Sequence, residues 1–165
     1  MGLRMCARLR ARSERGAAAV EFALVVIPLL YIVFGIISYG FMLSFRQSIS
    51  QAAAEGARAA AVTPGGVSNP DLMSRAQEAI NQALDSYGVK CTGTSGAAGT
   101  LTHQGNAAGS CKVELNTTCK GSTVGATCAK VTLDYTYNDD PLVPDVGYGY
   151  VLPDHLKYVS EVQVS

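Results

Sequence analysis

Two sets of residues in this chain have types and spacings that can do chemistry. The first is Cys91, Cys111, Cys119 and Cys128, all in the last half of 165 residues. No C-x-x-C pair occurs among them, which disfavours a zinc site, and an even number in a small domain reads as a disulfide framework. Four cysteines permit three connectivities. Cys91–Cys111 with Cys119–Cys128 is favoured. The first pair closes a Gly/Thr-rich loop at its base, and the second closes the segment between two strand candidates. Cys6 stands apart in a basic leader, where it reads as a free thiol without a lipidation motif.

The second set is Gly16 and Glu21, at the join between that leader and a long apolar run. A carboxylate at the edge of an apolar span is costly in lipid and asks for a partner. Taken alone, Glu21 could equally sit at headgroup level and do nothing. Catalysis finds no support. His103 and His155 read as lone histidines in separate loops. Asp139, Asp140, Asp145 and Asp154 fit turn chemistry better than a calcium site. Asn116-Thr117-Thr118 matches a glycosylation acceptor, a pattern frequent by chance. The chain reads as a non-enzyme with no metal and no cofactor.

The elements that must position these residues begin with charge. The formal charge of zero hides segregation. Arg4, Arg8, Arg10, Arg12 and Arg15 precede the apolar run, against Glu14 alone. Without that leader, eight basic and twelve acidic residues remain, a formal net of −4. A basic end before an apolar span is a topology signal, so no nucleic-acid partner is indicated. Residues 22–45 contain no charge over 24 positions. As a helix they extend ~36 Å, enough for a hydrocarbon core of ~30 Å. The run is too long for a cleaved secretory signal, although Ala52-Ala53-Ala54 imitates a signal-peptidase site. The arginines place the N-terminus in the cytoplasm and the remainder outside. Pro28 is expected to kink the span unless a neighbour compensates.

The helix should continue to residue 62. Ile49, Ala53, Gly56, Ala57 and Ala60 make a face of very small residues. It is either a packing seam for another helix or generic alanine-rich propensity. Glu55 and Arg58 can pair on the solvated side. Thr63-Pro64-Gly65-Gly66 stops the helix. Asn69 as N-cap and Pro70 at N1 then start a second helix, with Leu72, Ala76, Ile80, Ala83, Leu84 and Tyr87 as its apolar stripe and Gly88 as its stop. Beyond it, Val89 to Cys91, Cys111 to Leu115, Ala129 to Tyr137 and Lys157 to Ser165 read as strands, while Thr92 to Ser110 reads as a long flexible loop. The expected fold class is α+β. A long N-terminal transmembrane helix continues into a small, disulfide-stapled extracytoplasmic domain with a second helix and a short antiparallel sheet. The expected divisions are a leader 1–16, a helix 17–62 and a domain 67–165.

The run RGAAAVEFALVVIPLLYIVFGIISYGFMLSFRQSISQAAAEGARAAAV resembles the TadE-like minor pilins of tight-adherence (Flp/Tad) pilus systems. Gly16 followed by Glu21 and Phe22 is similar to the class III signal of type IV pilin-like proteins. The resemblance implies a prepilin peptidase that cuts after Gly16, exposes Ala17 and leaves the apolar segment in place. It also implies partners: the major Flp pilin, a TadF-like minor pilin, the inner-membrane assembly platform and membrane lipid. The function implied is that of a minor pilin or pseudopilin in a pilus serving adhesion, biofilm formation, DNA uptake or secretion. Two alternatives stand beside it: a signal-anchored adhesin or binding domain unrelated to pili, and a pseudopilin of a type II-like secretion machine. Processing after Gly16 separates the adhesin from the pilin-like readings.

Overall fold

A computed structural model of the chain describes residues 3–62, 68–93, 98–121, 126–143 and 152–164, with side chains from residue 16 onward. The expected helix stop at Thr63 to Gly66, the proline loop around Pro144, and Asp145 lie outside the described residues. The chain divides into two compact units, Met1–Gly40 and Phe41–Ser165.

The first unit is helix. Helix α1 spans Leu3–Ala61 and runs through Pro28. From Gly16 to Ile37 no side chain is buried. Phe22, Leu24 and Ile36 are each about 70% exposed. Such a stretch, apolar on every face, has only lipid or other subunits to bury it.

The second unit is built around the end of the same helix. Met42, Phe45, Ile49, Ala52, Ala53, Ala57, Ala60 and Ala61 are buried, at the three- and four-residue spacing of one helix face. The polar residues between them, including the Glu55–Arg58 pair at 3.3 Å, face solvent. The small-residue face is therefore a packing seam. Its neighbour is helix α2 of the same chain, Asn69–Leu84. A Cβ built on Gly56 would lie 2.7 Å from Cγ1 of Ile80, so any larger residue there obliges the Ile80 side chain to shift.

Helix α2 starts one residue earlier than expected, with Ser68 rather than Asn69 as its N-cap. The Ser68 carbonyl accepts from the amides of both Asp71 and Leu72, and its hydroxyl donates to the Asp71 carboxylate at 2.6 Å. Asn69 and Pro70 thus form the first turn, where the missing proline N–H is no loss. Leu72, Ala76, Ile80 and Leu84 are buried. A short 3-10 turn over Asp85–Tyr87 ends at Gly88, whose φ of +66° and N–H to the Asp85 carbonyl close the element.

A five-stranded antiparallel meander follows, in the order β1-β2-β3-β4-β5. The strands are β1 Val89–Thr92, β2 Gly99–His103, β3 Asn106–Thr118, β4 Thr127–Thr136 and β5 His155–Gln163. The expected loop from Thr92 to Ser110 is corrected here. Residues 99–103 form β2, residues 106–110 begin β3, and a tight turn at Gln104 and Gly105 joins them. A bulge in β3 separates Gly109, opposite Leu101, from Ala107, opposite Thr102. A Cβ on Gly109 would meet the Asp134 carbonyl oxygen at 2.1 Å, so the bulge admits no larger residue. Along β4, Val131, Leu133 and Tyr135 point inward, and Tyr137 just beyond the strand joins them. Phe45 of α1 lies 4.8 Å from Tyr135 and 5.1 Å from Tyr87, centroid to centroid, both edge-on.

Candidate functional site: the head of the long helix

Gly16, Ala17, Glu21 and Phe22 lie on unbroken helix, so the leader and the apolar run are one element. All four are exposed. A Cβ at Gly16 would meet nothing within 4 Å, so packing within the chain does not explain a glycine there. Ala17 and Glu21 are four residues apart, which puts them on one face about 6 Å apart along the axis. Among the described residues Glu21 has no hydrogen-bond or ion-pair partner. The helix carrying them is long and apolar enough to cross a membrane over Gly16–Ala61.

The cysteines lie in the second unit. Cys91 of β1 is joined to Cys111 of β3, with Cα atoms 6.0 Å apart, and both are buried. The bond ties the first strand to the third across the short β2. Cys119 is joined to Cys128, with Cα atoms 5.2 Å apart, and closes the connection between β3 and β4.

The histidines are not the lone loop residues expected from the sequence. His103 ends β2, is 7% exposed, and lies with Nδ1 3.1 Å from the Asp140 carboxylate. Tyr135 donates its hydroxyl to the Asp140 backbone carbonyl at 2.9 Å. Burial, and then the nearby Asp140 carboxylate, push the Tyr135 phenol above its ordinary value. The second Asp140 carboxylate oxygen is buried without a hydrogen-bond partner among the described residues. Together these groups bind the turn after β4 to the end of the β2–β3 hairpin. His155 lies in β5, not in a loop, and sits 3.1 Å from Asp134 of β4 on the solvated side. Among the described residues no three His, Cys, Asp or Glu side chains converge as metal ligands.

Against this geometry, residues 16–58 match the family model for TadE-like protein. The segment is TadE-like. The match starts at Gly16 and takes in Ala17, Glu21, Phe22 and most of the buried face of α1. No curated protein and no solved structure matches the chain. The match covers residues 16–58 and does not extend to α2 or to the five-stranded sheet. The apolar helix and the disulfide-bonded domain point to a membrane-anchored protein with an extracytoplasmic part.

Sequence reasoning missed the His103–Asp140–Tyr135 cluster. Its members are separated by up to 37 positions and only the sheet register brings them together. It missed equally the amides of Gln77 and Asn81, which bond the backbone of Cys91. Both lie on the polar side of the α2 stripe, where solvent is the ordinary expectation.

Proposed function

We propose that this chain is a minor-pilin-like structural subunit of a Tad/Flp-type pilus, inserted with its N-terminus in the cytoplasm. One observation carries the proposal: Gly16 and Glu21 stand five residues apart at the head of an exposed apolar helix, where the TadE-like match begins. A prepilin peptidase would cut after Gly16 and leave the helix in the bilayer. The cut would create an ammonium on Ala17, one helical turn before Glu21. Ammonium and carboxylate can neutralise each other within one chain or between neighbouring subunits. In low dielectric that pairing is strong and demands correct geometry. The apolar faces of residues 20–37 would then exchange lipid for the helices of the major pilin, of a TadF-like subunit or of the assembly platform.

N-terminal mass spectrometry of the membrane-extracted protein from its own host tests this reading. A mature chain starting at Ala17 is expected. An intact Met1 terminus would leave a signal-anchored adhesin as the better description. Gly16→Leu should hold the precursor in the membrane, since bulk would obstruct the peptidase.

A further inference from the structure

The two edges of the sheet are treated differently. The outward backbone groups of Cys91, at the β1 edge, are already bonded. Its N–H donates to Asn81 Oδ1 at 2.6 Å, and its carbonyl accepts from Gln77 at 2.7 Å and from Asn81 at 3.2 Å. Helix α2 therefore closes that edge. At the other edge, the Val164 amide bonds the Thr127 carbonyl of β4. In an antiparallel ladder this fixes the alternation: the even residues of β5 turn their backbone toward β4 and the odd ones turn it away. The outward N–H and C=O groups of His155, Lys157, Val159, Glu161 and Gln163 have no partner among the described residues. Val159, at the middle of the strand, is 51% exposed. An edge of this length is a template for another strand.

The side chains on β5 specify which strand. Centred on Val159, an antiparallel two-fold pairing of β5 with itself is the register that opposes all nine residues. It sets Lys157 against Glu161 of the second copy, Glu161 against its Lys157, and Val159 against Val159. These are the residues whose free backbone groups face outward, so each opposed pair exchanges two hydrogen bonds. Within one chain Glu114 lies opposite Lys130 and Lys130 opposite Glu161, with Lys130 and Glu161 at 3.6 Å. Asp134 lies opposite Lys157 at 3.8 Å. The joined sheet would continue that row with alternating sign: Glu114, Lys130, Glu161, then Lys157 and Asp134 of the second copy. Opposite charges directly across strands stabilise and like charges destabilise. The same strand in parallel register would bring lysine beside lysine and glutamate beside glutamate.

We infer that the free edge of β5 is a self-recognition site, at which two copies of this chain join their sheets. With the β1 edge closed, the assembly stops at two and cannot grow by further strand addition. Its polarity follows from the core. Phe45 of α1 packs near Tyr135, which lies opposite Leu156, while Ala60 and Ala61 pack with Ala129, which lies opposite Val162. The buried part of α1 thus runs in the direction of β5, and antiparallel β5 strands reverse it between the copies. The chain enters the two domains from opposite ends of the joined sheet. This site is distinct from the helix-head chemistry proposed above and holds whether or not Gly16 is cut.

Charge exchange tests it with the full chain in detergent, by sedimentation equilibrium. Wild type should show a monomer–dimer equilibrium. Lys157→Glu alone and Glu161→Lys alone should each weaken it at least tenfold, by opposing like charges. An equimolar mixture of the two variants should dimerise again. The Lys157→Glu copy then presents two acids on its edge and the Glu161→Lys copy two bases, so both opposed pairs are complementary. Both variants must keep the two disulfides by non-reducing peptide mapping. Wild type, single variants and mixture with the same association constant would overturn the inference, since association through the apolar helix would ignore these charges.

Discussion

Asn81 and Cys91 are bonded through both backbone groups of the cysteine, the side-chain amide of α2 acting as a substitute strand. Asn81→Ala leaves one amide without its partner and one carbonyl dependent on Gln77 alone. The cost should be about 1–3 kcal/mol. Thermal unfolding in detergent, followed by circular dichroism, measures it. Asn81→Leu, similar in bulk, should be at least as damaging, because the loss is of hydrogen bonding.

Gly56 faces Ile80 with no room for a Cβ at rest. Gly56→Ala gains helix propensity of about 1 kcal/mol and must displace a flexible side chain, so its net effect should be small. Gly56→Leu has no such balance and should lose about 1–3 kcal/mol or more through overpacking. The same unfolding measurement separates the two. Equal stability of both variants would show that the seam is loose.

Burial holds the phenols of Tyr135 and Tyr137 neutral beyond their ordinary value of 10.0. Above about pH 10 the unfolded chain releases these protons while the folded chain keeps them, so stability falls as pH rises. Below about pH 10 this contribution is constant. Melting temperatures between pH 7 and pH 11 should show the fall on the alkaline side. Tyr135→Phe should cost about 1 kcal/mol at neutral pH for the lost bond to Asp140, yet flatten the alkaline limb.

The Cys91–Cys111 bond closes a 20-residue separation and Cys119–Cys128 one of 9. In the chain-entropy model each is worth about 3 kcal/mol. Replacing Cys91 and Cys111 together with alanine should destabilise more than replacing the other pair, because Cys91 and Cys111 also belong to the buried core. Non-reducing peptide mapping of exported protein checks the connectivity. A Cys111–Cys119 crosslink would contradict it.

Glu21→Ala should leave membrane insertion intact, since it removes a polar group from an apolar helix. Assembly or capture of pilin partners should weaken. Pilus yield and co-purification equal to wild type would remove the pairing role from Glu21.

Much of this fold is legible in the sequence wherever a period is written in large side chains. Val131, Leu133, Tyr135 and Tyr137 alternate without interruption, and β4 is the central partner of both β3 and β5. The stripe from Leu72 to Leu84 likewise gives α2. Strand β2 is illegible because Leu101 is its one large apolar residue, set among glycine and threonine. Its pairing is imposed by β1 and β3 on either side, and that is tertiary context rather than local preference. The helix head is legible for the opposite reason. Glu21 is a carboxylate at the edge of 24 uncharged positions, and it stands out against them. The His103–Asp140 contact has no local signature, since a histidine and a turn aspartate are each ordinary alone.

The burial of Met42, Phe45, Ile49 and Ala52 has a consequence for release from the cell. These side chains are the domain's own core, yet they precede Ala53 on the membrane-side stretch of α1. A signal-peptidase cut near Ala54 would take them away with the anchor. The three large ones alone represent about 1.5–3 kcal/mol each of burial, against a total stability of about 5–15 kcal/mol for a domain this small. The liberated fragment would be a substrate for proteolysis rather than a secreted protein. A cut there would unfold what it releases, and an intact domain found in culture medium would have to carry α1 from about Met42 onward.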